Sequence, residues 1–131
     1  MRIWFIKTFA ALMVLVLSSG QGDAEPLLND ILKDYYNPEL SVAQRMMIVS
    51  NMSNIEKALG WANTALRAQR MSRRALYCLP NDLVIEPQEL IDMLRDAVWD
   101  EPRLGERPIG FAVLVTLQKA FPCKGSTDGK R

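Results

Sequence analysis

Two cysteines, Cys78 in "LYCLP" and Cys123 in "KAFPC", are the only ones in a chain of 131 residues that contains no histidine. Each stands beside or close to a proline, so each sits where a helix stops or cannot start. If the two sulfurs bond, they close a loop of 45 residues and staple the end of the chain onto its middle. No other covalent device is written into the sequence, so the compartment that decides the fate of these thiols also decides the fold.

The first residues speak to that compartment. Arg2 and Lys7 form a basic start, Thr8 to Leu17 is an apolar run, and small and polar residues follow, with Gly22 and Ala24 set as in a signal-peptidase site. Residues 1–24 are therefore read as a signal peptide, with cleavage after Ala24 and Gly20 or Gly22 as alternatives. The uninterrupted apolar run falls short of the roughly 20 residues that a membrane-spanning helix needs, and no cysteine follows the small residues to take a lipid. The expected location is the bacterial periplasm, with a eukaryotic secreted protein as the alternative, and no membrane association is expected once the signal is cleaved.

Removal of residues 1–24 leaves 107 residues, enough for one core but not two. With Arg2, Lys7 and Asp23 gone, the 16 basic and 15 acidic residues fall to 14 of each. A neutral chain has no general electrostatic reason to hold nucleic acid or anionic lipid. In an oxidising compartment two cysteines in a domain this small are expected to pair. A Cys78–Cys123 bond would remove about 4 kcal/mol of freedom from the unfolded chain on the loop-entropy estimate. A catalytic thiol has no histidine base to serve it, and two cysteines alone do not complete a structural zinc site.

The mature chain reads as helical throughout. "LLNDILKDYY" (27–36) places Leu28, Ile31 and Leu32 on one side of a short helix, which "NPEL" ends. Ser41 and Gln44 form a capping-box pattern ahead of a helix from Val42 to about Met71. There Val42, Met46, Val49, Met52, Ile55, Leu59, Ala62 and Leu66 recur at spacings of three or four. This stripe is read as core, with a dimer seam as the alternative, and the polar "SNMSN" at 50–54 leaves room for a break. Gly60 inside the helix costs about 1 kcal/mol relative to alanine, which a close neighbouring backbone would explain. Arg67, Arg70, Arg73 and Arg74 are read as a solvated end that complements the helix dipole rather than as an anion site.

Pro80 with Asn81-Asp82 marks a turn. Pro87 suits the first turn of a helix whose buried face is Leu90, Ile91, Leu94, Ala97 and Val98, with Glu89, Asp92, Arg95 and Asp96 opposite. Pro102 ends it. "DEPRLGERP" (100–108) is a charged loop, read as exposed. The apolar run Ile109 to Leu117 suits a buried strand or a buried helix. No second strand-like segment exists to pair with it, so it is read as a central helix that Phe121-Pro122 closes. The tail 124–131 is expected to be disordered. The fold class is thus all-α: a small bundle of four to five helices with one disulfide, spanning 25–123.

The order of these pieces carries a family resemblance. The Cys-x-Pro entry at Cys78, the helix "PQELIDMLRDAV", the "DEPRLGERP" linker, the apolar "FAVLVTLQKA" and the final Phe-Pro-Cys, preceded by "ALGWANTAL", resemble the Rap/Tai immunity proteins. These are periplasmic antidotes to type VI secretion amidase toxins. The resemblance covers roughly residues 55–123; many members carry a further cysteine pair nearer the N-terminus, which this chain lacks. It implies an all-helical protein, often a homodimer, that binds a papain-like peptidoglycan amidase and blocks its active-site groove. The loop matched to that contact is Pro102, Arg103, Leu104, Gly105, Glu106 and Arg107.

The residues also speak against catalysis. The lack of histidine removes Ser-His-Asp and Cys-His catalysis. Asp92 and Asp96 lie at helical spacing on a charged face, which suits solvation better than acid–base work. No glycine-rich phosphate loop or metal signature is present. The expectation is a non-enzyme without cofactor or metal, whose partner is a protein toxin. A periplasmic chaperone or adaptor is the alternative.

Overall fold

The computed structural model describes residues 24–68 and 75–123. The expected signal peptide up to Asp23, the arginines Arg70, Arg73 and Arg74, and the tail 124–131 lie outside the described residues. Among the described residues four α-helices and one 3-10 turn follow in order: α1 (Leu28–Tyr35), α2 (Val42–Ala68), α3 (Pro87–Asp100), the turn Pro102–Glu106, and α4 (Ile109–Ala120). Among the described residues there is no strand, only an isolated bridge between Leu27 and Pro108. The fold is an all-α bundle, and Cys78 and Cys123 form its disulfide.

Local chemistry sets most helix ends. The Ser41 hydroxyl accepts from the Gln44 backbone N–H, and Gln44 Oε1 accepts from the Ser41 N–H, both at 3.2 Å. This reciprocal pair satisfies two amides that the start of α2 would otherwise leave open. Pro87 occupies the first turn of α3, where its missing N–H costs nothing. Pro102 follows the last residues of α3 and Pro122 those of α4.

Around these helices a single core assembles from Leu28 and Leu32 of α1, Met52 of α2, Leu90, Ile91 and Leu94 of α3, and Ile109, Ala112, Val113 and Leu117 of α4. Tyr77, Ile85 and Leu104 reach it from the connections. The helix over 109–120 is confirmed, but α4 is not wrapped on all sides. Its buried residues recur at helical spacing, while Phe111 is half exposed.

The long helix departs further from the pattern read in its sequence. α2 runs unbroken through 50–54. Its expected stripe is core from Val49 onward but not at its start, where Val42 is 77% and Met46 66% exposed. Nor does it pass through Ala62, which is exposed; the inward position is Asn63. The physical reason is length. α2 has 27 residues against 14 in α3 and 12 in α4, so its partners run out before its apolar residues do. Gly60 is not met by a neighbouring backbone either. A Cβ built there would lie 3.8 Å from the Tyr77 hydroxyl, an ordinary contact. Among the described residues no helix is long and apolar enough to cross a membrane.

Candidate recognition turn and its supports

The segment after α3 is where sequence reasoning placed a partner contact, and the chain builds it from three sides. Glu101 N–H donates to Ala97 O at 2.9 Å and closes the last turn of α3. Pro102 then prevents the α-helix from continuing, and the backbone tightens into 3-10 bonds: Leu104 N–H donates to Glu101 O at 2.9 Å, and Arg107 N–H to Leu104 O at 3.1 Å.

The loop is not exposed along its whole length. Leu104 is 3% exposed and packs in the core, and Gly105 is buried under the Asn29 side chain, where a Cβ would clash. Counting charges in "DEPRLGERP" missed this, because one leucine among charged neighbours is enough to anchor a short turn when a core opening faces it. Of the six residues matched to the contact, Pro102, Arg103, Glu106 and Arg107 are exposed and Leu104 and Gly105 are not.

The chain entering α1 supplies the second support. Leu28 N–H donates to Arg107 O at 3.0 Å, and Ile109 N–H to Pro26 O at 3.1 Å. Glu25 Oε1 accepts from Gly110 N–H at 2.6 Å, placing a carboxylate over the N-terminus of α4, where the open amides and the helix dipole favour negative charge. Nothing in residues 25–28 alone announces this clasp; it pairs them with the extended backbone at Arg107 and Pro108, a conformation the proline favours in the residue before it.

The third support is ionic. Lys119 Nζ donates to Glu101 Oε2 at 2.6 Å and joins the end of α3 to the end of α4. That hydrogen bond, then the lysine charge, holds the Glu101 carboxyl below its ordinary range. Both side chains are about half exposed, so solvent screens the pair. Arg107 lies over the Phe111 ring, 5.9 Å from its centroid. Trp99, 88% exposed one residue before Asp100, stands next to the turn in sequence with no core role.

The result is a short turn fixed from beneath, carrying mixed charge outward: Asp100, Glu101 and Glu106 against Arg103 and Arg107. Such a surface can recognise a protein by shape and complementary charge. The disulfide holds the same half of the molecule, and Cys78 N–H donates to Phe121 O at 2.8 Å alongside it.

The other sequence candidates fall elsewhere. Asp92 and Asp96 both bind Arg95, at 2.9 and 3.0 Å, on the outer face of α3. The Tyr36 hydroxyl donates to Asp92 at 2.8 Å, and its pKa is raised by burial and then by that bond. Arg67 is exposed in the last turn of α2. Among the described residues no group of three His, Cys, Asp or Glu side chains is gathered to hold a metal.

One structural residue escaped the sequence reading. Asn63 is buried, donating through Nδ2 to Tyr77 O at 2.8 Å and accepting at Oδ1 from Leu76 N–H at 2.7 Å. It pins the approach to Cys78 against α2. The available signal was its place in the stripe, four residues after Leu59 and three before Leu66. No family model, curated protein or solved structure matches this chain.

Proposed function

We propose that this chain is an immunity-type protein of the Rap/Tai kind: exported to the periplasm, it binds a type VI secretion peptidoglycan amidase and occludes its active-site groove. The observation that carries the reading is the buttressed turn at 101–107, a charged protrusion held by Leu104, Gly105 and the Lys119–Glu101 pair on a disulfide-closed body. A partner surface held rigid before binding loses less conformational entropy on association. The bond between Cys78 and Cys123 is consistent with an oxidising compartment. The contacts assigned to the amidase are Pro102, Arg103, Glu106 and Arg107, with Leu104 and Gly105 holding them in place. The protein does no chemistry of its own in this reading; it works by exclusion.

The test replaces Arg103, Glu106 and Arg107 by serine and leaves Leu104 and Gly105 intact. Growth of cells that direct a papain-like type VI peptidoglycan amidase to their periplasm should be rescued by the parent protein and not by the variant, with the two helical spectra superimposable; the amidase to use is one found encoded beside this gene. Full rescue by a folded variant would sink the assignment of the turn, and failure of the parent to rescue would sink the function.

The alternative, a periplasmic chaperone or adaptor, draws on the exposed Val42, Met46, Met47, Trp61 and Trp99. It predicts suppression of aggregation of several unrelated unfolded clients, which an immunity protein would not show.

A further inference from the structure

Away from the turn, at the opposite end of α3, a groove of about 750 Å³ lies between α2, the end of α1 and the first residues of α3. Its volume falls within the range of small-molecule sites, which spans roughly 300–1,000 Å³. The groove has a direction. Tyr35, Val42, Met46 and Val49 line its α1 end. Ser50, Ser53, Asn54 and Lys57 line the other, in order along α2. Residues 42 to 57 of a helix span about 22 Å.

The charges lining the groove are of one sign. Arg45 and Lys57 are its two ionic residues, and no carboxylate lines it. Arg45 is engaged in part: Nη2 donates to Asn37 O at 3.0 Å and the guanidinium sits 5.9 Å from the Tyr35 ring centroid, while its Nε is buried without a partner. Lys57 lies one turn past Ser53 and Asn54 on the same helix, beyond the end of the apolar stretch. Val42 and Met46 here are side chains that α2 leaves outside the core, while Val49 packs partly against it. Methionine adapts its shape to an apolar guest more readily than a branched side chain does.

We infer that this groove binds a single-chain amphiphile with an anionic head, the alkyl tail lying over Tyr35, Val42, Met46 and Val49 and the head at Lys57. Dodecanoate is a suitable probe, because its extended length fits within the span from residue 42 to residue 57. The tail gains from leaving water; the head gains one charge-assisted contact with a lysine and the neighbouring hydroxyls. This inference is independent of the amidase reading, since the groove shares no residue with the 101–107 turn.

The experiment uses protein purified from cells expressing the full chain, with its methionine methyls labelled with carbon-13. Dodecanoate is titrated below its micelle concentration and followed by NMR. The Met46 methyl should shift saturably, while that of the core residue Met52 moves little. Lys57→Gln should weaken binding by about three- to fivefold, the worth of one partly exposed charge contact. Met46→Glu should weaken it about tenfold or more by placing a like charge and a polar group in the tail path. Both residues are exposed, so neither change threatens the fold. Dodecyltrimethylammonium, with the same tail and the opposite head, should bind more weakly than dodecanoate. Equal binding of the two amphiphiles, unchanged affinity in Lys57→Gln, or a Met46 methyl that does not respond would each overturn the inference.

Discussion

The half of the molecule from Ala75 to Cys123 and the long helix α2 follow opposite rules. In the former, each helix turns a full apolar face inward: Leu90, Ile91, Leu94, Leu104, Ile109, Ala112, Val113 and Leu117 are all buried, while Val84, Trp99 and Phe111 stay exposed; prolines stop each helix, and a disulfide closes the ends. α2 is the longest element, yet it buries only Met52 and Asn63 fully, and it carries Val42, Met46 and Trp61 into solvent. The difference teaches that a hydrophobic stripe reports the capacity to bury surface, whereas burial needs a partner of matching length. The clamped half presents a rigid charged turn; the helix presents an unfilled groove.

The contrast can be broken most strongly at the sulfurs. Replacing Cys78 and Cys123 by alanine should lower stability by about 4 kcal/mol, the freedom restored to a loop of this length. Urea unfolding would measure it, and a loss under about 1 kcal/mol would mean that the C-terminal half is held by packing rather than by its clamp.

Next comes a paired comparison of two apolar side chains. Leu104→Ala should cost about 3 kcal/mol by opening a cavity under the turn. Met46→Ser on the groove side of α2 should change stability by about 0.5 kcal/mol or less. Similar losses at both positions, read from the same denaturation curves, would erase the proposed distinction between the regions.

Asn63 joins the two regions, and Asn63→Leu should cost about 2 kcal/mol by leaving the Leu76 amide without its acceptor. Faster hydrogen exchange at the Leu76 amide would localise the damage; an unchanged exchange rate would mean that the bond to Asn63 is not what protects this amide.

The smallest effect has the opposite sign. Gly60→Ala finds room beside Tyr77 and removes backbone freedom from the unfolded chain, so the melting temperature should rise, with a gain of up to about 1 kcal/mol. A fall in melting temperature would show that the Tyr77 hydroxyl needs the closer approach that glycine permits.

Much of the candidate site was legible in part. Pro102 announced the end of α3, and the charges of Arg103, Glu106 and Arg107 announced an outward surface. Leu104 was read with them, because a single apolar residue in a polar run has no periodicity to betray its direction. Its burial depends on an opening among α1, α3 and α4 that exists only once they have docked. The clasp of Pro26 and Leu28 on Arg107 and Ile109 was equally silent, since backbone hydrogen bonds between distant segments leave no residue-type signature.

By itself the sequence determined the class of the fold and its punctuation. The Ser41–Gln44 box, the prolines at 87, 102 and 122, and the helical spacing in α1 and α3 act through atoms a few residues apart, so they need no knowledge of the whole; α4 was legible only because no second strand-like segment exists to pair with it. The Cys78–Cys123 pairing was also legible, because two cysteines allow one bond within the chain. Tertiary structure alone decided which face of α2 is inward, that Asn63 rather than Ala62 meets the core, and that Leu104 anchors the turn. Those choices depend on how much apolar surface the other helices offer at each level of the bundle. That supply is a property of their packed arrangement, not of any short stretch of chain.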